Sequence, residues 1–113
     1  MFHEMRLNTR PFEAIACGTK DIEIRLYDEK RRLLQVGDRI RFRERGGDRT
    51  LQASIVALHV FSDFKALYDA FPPARLGYAC GEDVSPTDME AYYSQEAQHA
   101  FGVVAIELKL LPQ

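Results

Sequence analysis

Gly18-Thr19-Lys20-Asp21-Ile22-Glu23-Ile24-Arg25 decides the reading of this chain of 113 residues, because three charged groups are spaced there to converge at the start of a β-strand. Ile22, Ile24 and Leu26 alternate with Glu23, Arg25 and Tyr27. That period of two sends apolar side chains to one sheet face and polar ones to the other, so Glu23 and Arg25 are same-face neighbours. Upstream, Pro11-Phe12-Glu13-Ala14-Ile15-Ala16-Cys17 reads as a short helix with proline in its first turn. Gly18 follows its end, where glycine accepts a left-handed backbone cheaply. Lys20 then falls in the turn feeding the strand. Inside the strand its parity would match Ile22 and aim it at the core, whereas in a turn it can swing to the Glu23/Arg25 side.

By spacing alone, such a run is commonly a solvated, salt-bridged strand face, worth only about 0–1 kcal/mol per exposed pair. Its surroundings argue for a site instead. Met5-Arg6-Leu7-Asn8 reads as a short strand ending in a polar residue, and Asp28-Glu29-Lys30-Arg31-Arg32 follows Tyr27, so polar groups crowd both sides.

Further along, Arg39-Ile40-Arg41-Phe42-Arg43 alternates after the turn Val36-Gly37-Asp38 and reads as a strand with arginines on its outer face. Gly46-Gly47-Asp48 marks a hairpin to a long following strand, Thr50 to Val60. Asp63 suits the N-cap of a helix carrying Phe64, Leu67, Tyr68 and Phe71 on one face, ended by Pro72-Pro73. Gly77 to Pro86 reads as a loop, and Ser85-Pro86-Thr87-Asp88 as the start of a third helix with Met89, Tyr92 and Tyr93 on its apolar side. Val103 to Leu110 closes the chain as a strand whose apolar first half predicts a central position. The sum is one α+β domain.

Net charge is −2, but it is unevenly placed. Residues 20–49 hold ten Lys/Arg against seven Asp/Glu, and residues 62–99 hold two against seven. A basic half beside an acidic half permits local phosphate contact. It argues against a general nucleic-acid coat, which needs surplus positive charge. Cys17 and Cys80 match no metal spacing and read as buried or incidental thiols of a reducing compartment. His3, His59 and His99 are scattered, so no metal site and no cofactor are expected. With no long apolar run and no signal-like start, the expected protein is soluble and cytoplasmic, without a membrane partner.

The order of these residues resembles the ASCH domain family of the PUA-like superfamily. The resemblance runs from about Met5 to Leu110. It rests on the strand ending in Asn8, the helix beginning Pro11-Phe12, the G-x-K-x-x-E-x-R pattern met by Gly18, Lys20, Glu23 and Arg25, the Asp28-Glu29-Lys30-Arg31 run and Val36-Gly37-Asp38. Tyr92-Tyr93-Ser94 and the strand after Phe101 also look like the closing part of small, single-domain prokaryotic members. The resemblance implies a single domain over residues 1–113, a small β-barrel of about five or six mostly antiparallel strands with two to three helices.

It also implies a cleft at the barrel mouth where Lys20, Glu23 and Arg25 face RNA or a nucleotide-like ligand. Asn8 could read a base edge there, and of Tyr92 and Tyr93, either packed in the core or lining the pocket, one ring could stack on a base. Recognition without chemistry is the leading expectation. The alternative is a metal-free hydrolase, either an amidohydrolase acting on a modified nucleoside such as 4-acetylcytidine or a ribonuclease. For the amidohydrolase branch, the lysine corresponds to Lys20, the catalytic threonine falls on Glu23, and the nearest match to its acid is Asp69. Glu23 would then have to act as the general base, with Lys20 or Arg25 stabilising the oxyanion. For RNA cleavage the group would be Lys20 with Tyr92 or Tyr93 and Ser94. A protein partner is not specified by the sequence.

Overall fold

A computed structural model describes residues 1–112. In chain order the elements are β1 (Phe2–Leu7), α1 (Thr9–Ala16), β2 (Ile22–Leu26), β3 (Arg39–Glu44), β4 (Thr50–Phe61), α2 (Phe64–Ala70), α3 (Gln95–Phe101) and β5 (Val103–Leu110). Short 3-10 turns at Arg31–Leu33, Pro73–Leu76 and Pro86–Ala91 fill the connections. The five strands form one curled sheet in the order β1-β3-β4-β5-β2, an open half-barrel of the α+β class. β1 and β3 run parallel, joined by the long crossover through α1 and β2 that such a pair needs, and the remaining pairs are antiparallel.

The inner face is covered along the sheet, and the outer face is covered at its β2–β5 end. Met5, Leu7, Ile40, Phe42, Ile55, Val104 and Ile106 fill the inner core with Phe12 and Ile15 of α1. Ile22, Ile24, Leu26, Val103 and Ala105 pack outward on Phe64 and Leu67 of α2. β5 therefore buries consecutive residues from Val103 to Ile106, and it lies inside the sheet between β4 and β2, as its apolar run predicts. β4 serves both halves through a bulge, where pairing jumps from Ile55↔Leu108 to Ala57↔Glu107 and leaves Val56 exposed. The extra residue resets the two-residue phase, so Leu58 again packs on the inner core while His59 meets Phe71 edge-on at 5.2 Å on the other face.

Several local expectations hold. Gly18 has φ +86° just past α1, and the Asp63 side chain accepts from the Ala66 amide at 2.9 Å at the head of α2. Others differ. The chain from Pro86 forms a 3-10 turn rather than a full helix, and the third helix lies later, at Gln95–Phe101, capped by the Ser94 side chain accepting from the Ala97 amide at 3.1 Å. The polar composition of Gln95-Glu96-Ala97-Gln98 hid that helix from an apolar-stripe reading. β1 begins earlier than expected, at Phe2. Both cysteines are free and exposed, which removes the buried reading and leaves the incidental one. Among the described residues, no helix is long and apolar enough to cross a membrane.

Candidate functional site

The sheet does not close: β1 and β2 are its two edges, and the site is built where they face each other. Directly opposed residues of paired strands share a face. Glu23 lies opposite Ile106 and Arg25 opposite Val104, so both charges point toward the inner side of the barrel. Arg25 donates from Nε to Glu23 Oε2 at 2.9 Å, and its Nη2 reaches the same oxygen at 2.7 Å and the Arg6 carbonyl of β1 at 2.9 Å.

Lys20 completes the cluster from the turn before β2, as its position after Gly18 predicts. Its backbone amide donates to the Ala14 carbonyl at 3.0 Å, which ties the turn to α1. Its ammonium donates to the carbonyls of Ile22 at 2.7 Å and Leu76 at 3.0 Å, and lies 3.4 Å from Glu23 Oε1. Only 4 % of Lys20 and 5 % of Glu23 is exposed. Burial disfavours charge on Lys20 and lowers its pKa, with Glu23 opposing that shift. Burial would raise the Glu23 carboxyl, but Lys20 and Arg25 together outweigh it and hold the group below the usual carboxylate range. Burial likewise works against the Arg25 cation, and Glu23 overcomes it.

Gly77 roofs this cluster. Its φ of +105° suits glycine, and a Cβ there would stand 3.1 Å from Lys20 Cδ. The segment after it is pinned by phenols: Tyr68 and Tyr78 hydroxyls are 2.8 Å apart, and Tyr78 donates to Asp88 Oδ2 at 2.7 Å.

Above the buried charges opens a cleft of about 760 Å³. Asn8 stands on one wall, Lys20, Glu23 and Arg25 form the floor, and Tyr93 lies opposite, with Tyr92 at the rim and 64 % exposed. Asn8 precedes α1 without a side-chain cap bond, so its amide is not engaged by the helix. Tyr93 divides its role between the two readings of the tyrosine pair: its ring stacks on Phe64 at 5.9 Å, while its phenol contacts Arg25. Ser94 is not among the lining residues, because its hydroxyl caps α3. Asp69 also lies outside, exposed on α2 and paired with Lys65 at 3.3 Å. Residues the sequence did not single out join the walls: Arg6, Arg10 and Arg45 on the β1 side, Tyr68, Tyr78 and Asp88 on the other. Arg10 and Glu82 form an ion pair between the two walls. Tyr68 carried the spacing of a core residue, and the loop from Gly77 has no periodicity, so neither announced a wall. Among the described residues, no group of three or more His, Cys, Asp or Glu is placed to hold a metal ion.

The ASCH domain family matches residues 5–112 of the sequence. Among solved structures, the hypothetical protein PH0355 is 34 % identical with a TM-score of 0.83, over 98 % of this chain and all of that one. The Pyrococcus furiosus protein PF0455 is 30 % identical with a TM-score of 0.75 over the full length of both chains. An ASCH protein from Zymomonas mobilis shares the fold at 19 % identity and a TM-score of 0.60, covering 94 % of this chain and 66 % of its own. No curated protein matches. The match across nearly the whole sequence, on a half-barrel whose open seam carries the Gly18, Lys20, Glu23 and Arg25 pattern, makes this chain a member of the ASCH domain family.

Proposed function

We propose that the cleft recognises a base of single-stranded RNA or of a nucleotide-like ligand. The observation that carries this reading is the pairing of a buried, pre-formed charge cluster with exposed groups of the right chemistry directly above it. With all three groups ionised, Lys20, Glu23 and Arg25 leave the floor one positive charge in excess, suited to a carbonyl or phosphate oxygen. Asn8 offers both a donor and an acceptor to a base edge, and the exposed Tyr92 ring offers a stacking surface.

Binding is favoured over hydrolysis by how the floor is occupied. The Lys20 ammonium has three N–H groups and three acceptors, Ile22, Leu76 and Glu23, so it has no lone pair to offer. Glu23 is held as a weak base by two cations, the opposite of what a general base at neutral pH needs. The hydrolase alternative keeps one supporting observation, the lowered pKa of Lys20, a property of lysines that work as bases.

One experiment separates the two. The purified protein is incubated with the four ribonucleosides, 4-acetylcytidine and short single-stranded RNAs, with thermal shift reporting binding and mass spectrometry reporting products. Stabilisation without product, weakened in Glu23→Gln, supports recognition. Deacetylation or strand scission that vanishes in Lys20→Ala makes the protein a hydrolase.

A further inference from the structure

Beyond Arg25 a second groove of about 360 Å³ opens beside the cleft. It shares Arg6, Arg25 and Arg45 with the cleft and adds Lys30, Arg31 and Arg43. Glu4 is the one acid among its lining residues, so six cations face one carboxylate.

The neighbourhood neutralises only part of that charge. Glu4 is divided between Arg41 at 3.1 Å and Arg43 at 3.6 Å. Arg6, Lys30 and Arg45 form no ion pair among the described residues, whereas Arg25, Arg31 and Arg43 each have one. Arg6 and Arg43 are register partners on β1 and β3, both exposed on the outer face, and like charges placed side by side on a sheet repel. Arg31 satisfies Nη1 on Asp28 at 2.9 Å, but its Nε is buried and has no hydrogen-bond partner. A fold that keeps three unpaired cations along one groove is arranged for an anion rather than for its own stability.

We propose that this groove holds phosphates of the same strand whose base enters the cleft, the chain crossing the seam over Arg25. The ligand is then a phosphodiester strand, single-stranded RNA, and not a free nucleoside. This rests on the cleft reading above and extends it by naming the ligand class. Both grooves share Arg25, whose guanidinium is anchored by Glu23 and the Arg6 carbonyl, so one rigid cation stands at the crossing point.

The test uses Lys30→Ala/Arg43→Ala, two exposed positions outside the cleft and outside both cores. Binding of a short single-stranded RNA is followed by fluorescence anisotropy across a salt series, and binding of the nucleoside panel by thermal shift. The double variant is expected to bind RNA about tenfold more weakly at low salt, with a salt slope shallower by about 0.7 for each phosphate no longer neutralised. Its nucleoside-induced shift should equal that of the unaltered protein. An unchanged RNA affinity and salt slope, or an unaltered protein that binds nucleosides but not RNA, overturns the groove inference and leaves the cleft reading standing. If the unaltered protein binds neither nucleosides nor RNA, the cleft reading falls and this inference falls with it.

Discussion

Arg25 donates to the backbone carbonyl of Arg6 at 2.9 Å, and this single bond joins the two edge strands that the sheet itself leaves unpaired. The guanidinium that spans the seam is the same group that anchors Glu23, so one side chain serves both the charge cluster and the contact across the seam. An edge strand is normally a place for pairing with another chain; here a charge cluster occupies the gap between the two edges.

Arg25→Ala should therefore affect stability and binding together. The change removes one of the two cations on buried Glu23, leaving Lys20 as the other, and takes away charge-assisted hydrogen bonds to Glu23 and to the Arg6 carbonyl, at a cost of about 1.5–3 kcal/mol. Arg25→Lys should recover only part of this, because an ammonium cannot repeat the planar fork between Glu23 and the Arg6 carbonyl. Urea denaturation of the three proteins checks the order; a lysine variant as stable as the unaltered protein would show that charge alone suffices.

Gly77→Ala tests the roof. The backbone there sits at φ +105°, where an L side chain costs about 1–2 kcal/mol. The new methyl would also press on Lys20 Cδ at 3.1 Å, and the lysine cannot retreat easily because its ammonium is held by Ile22 and Leu76. A drop in denaturation midpoint with weaker ligand binding is the expected pair of results. Gly81→Ala provides the comparison, since Gly81 shares the positive φ of +80° but has open space around it.

The stretch from Gly18 to Arg25 was legible because each of its features follows from local rules: a glycine after a helix, a lysine before a strand, alternation within it. The buried state of Lys20 was not legible, since it depends on the Leu76 carbonyl and Gly77 arriving from a distant segment. Alternation along β4 ran true only to Ile55, because the bulge at Val56 resets the phase and leaves no mark in the residue types. The parallel pairing of β1 with β3 is equally silent, as it is set by the route of the crossover rather than by either strand's sequence. Tyr92 and Tyr93 show the limit at the site itself: adjacent residues of the same type divide between rim and core, and only packing on Phe64 distinguishes them.

Acid should weaken the fold partly through Asp38. Its carboxylate accepts from His3 at 2.8 Å, from the amino terminus at 3.0 Å and from the Gln35 amide at 3.1 Å. Chiefly the His3 bond, with the amino terminus next, lowers its pKa from 3.8 to about 2. A depressed folded-state value means the unfolded chain takes up the proton first. The contribution is thus complete above pH 3.8 and disappears as pH falls to about 2. Asp38→Asn should be less stable at neutral pH and lose less stability across that window. Denaturation midpoints measured through it give the comparison, and parallel curves for the two proteins would rule Asp38 out as a source of the acid sensitivity.

Tyr92 separates binding from folding most cleanly. It is 64 % exposed at the cleft rim, so Tyr92→Ala should change stability by less than about 0.5 kcal/mol, as surface substitutions usually do. If its ring is a stacking platform, the same change should weaken single-stranded RNA binding by about 1–3 kcal/mol, the usual worth of one base on one aromatic. Tyr92→Phe keeps the π face and removes the hydroxyl, so it should bind nearly as well as the unaltered protein. Tyr93→Ala should behave differently, losing stability because its ring packs on Phe64 and its phenol contacts Arg25. Anisotropy titrations beside thermal melts of the three variants distinguish these outcomes. An alanine at position 92 that binds RNA with full affinity would remove stacking at this rim from the mechanism and leave recognition to Asn8 and the charged floor.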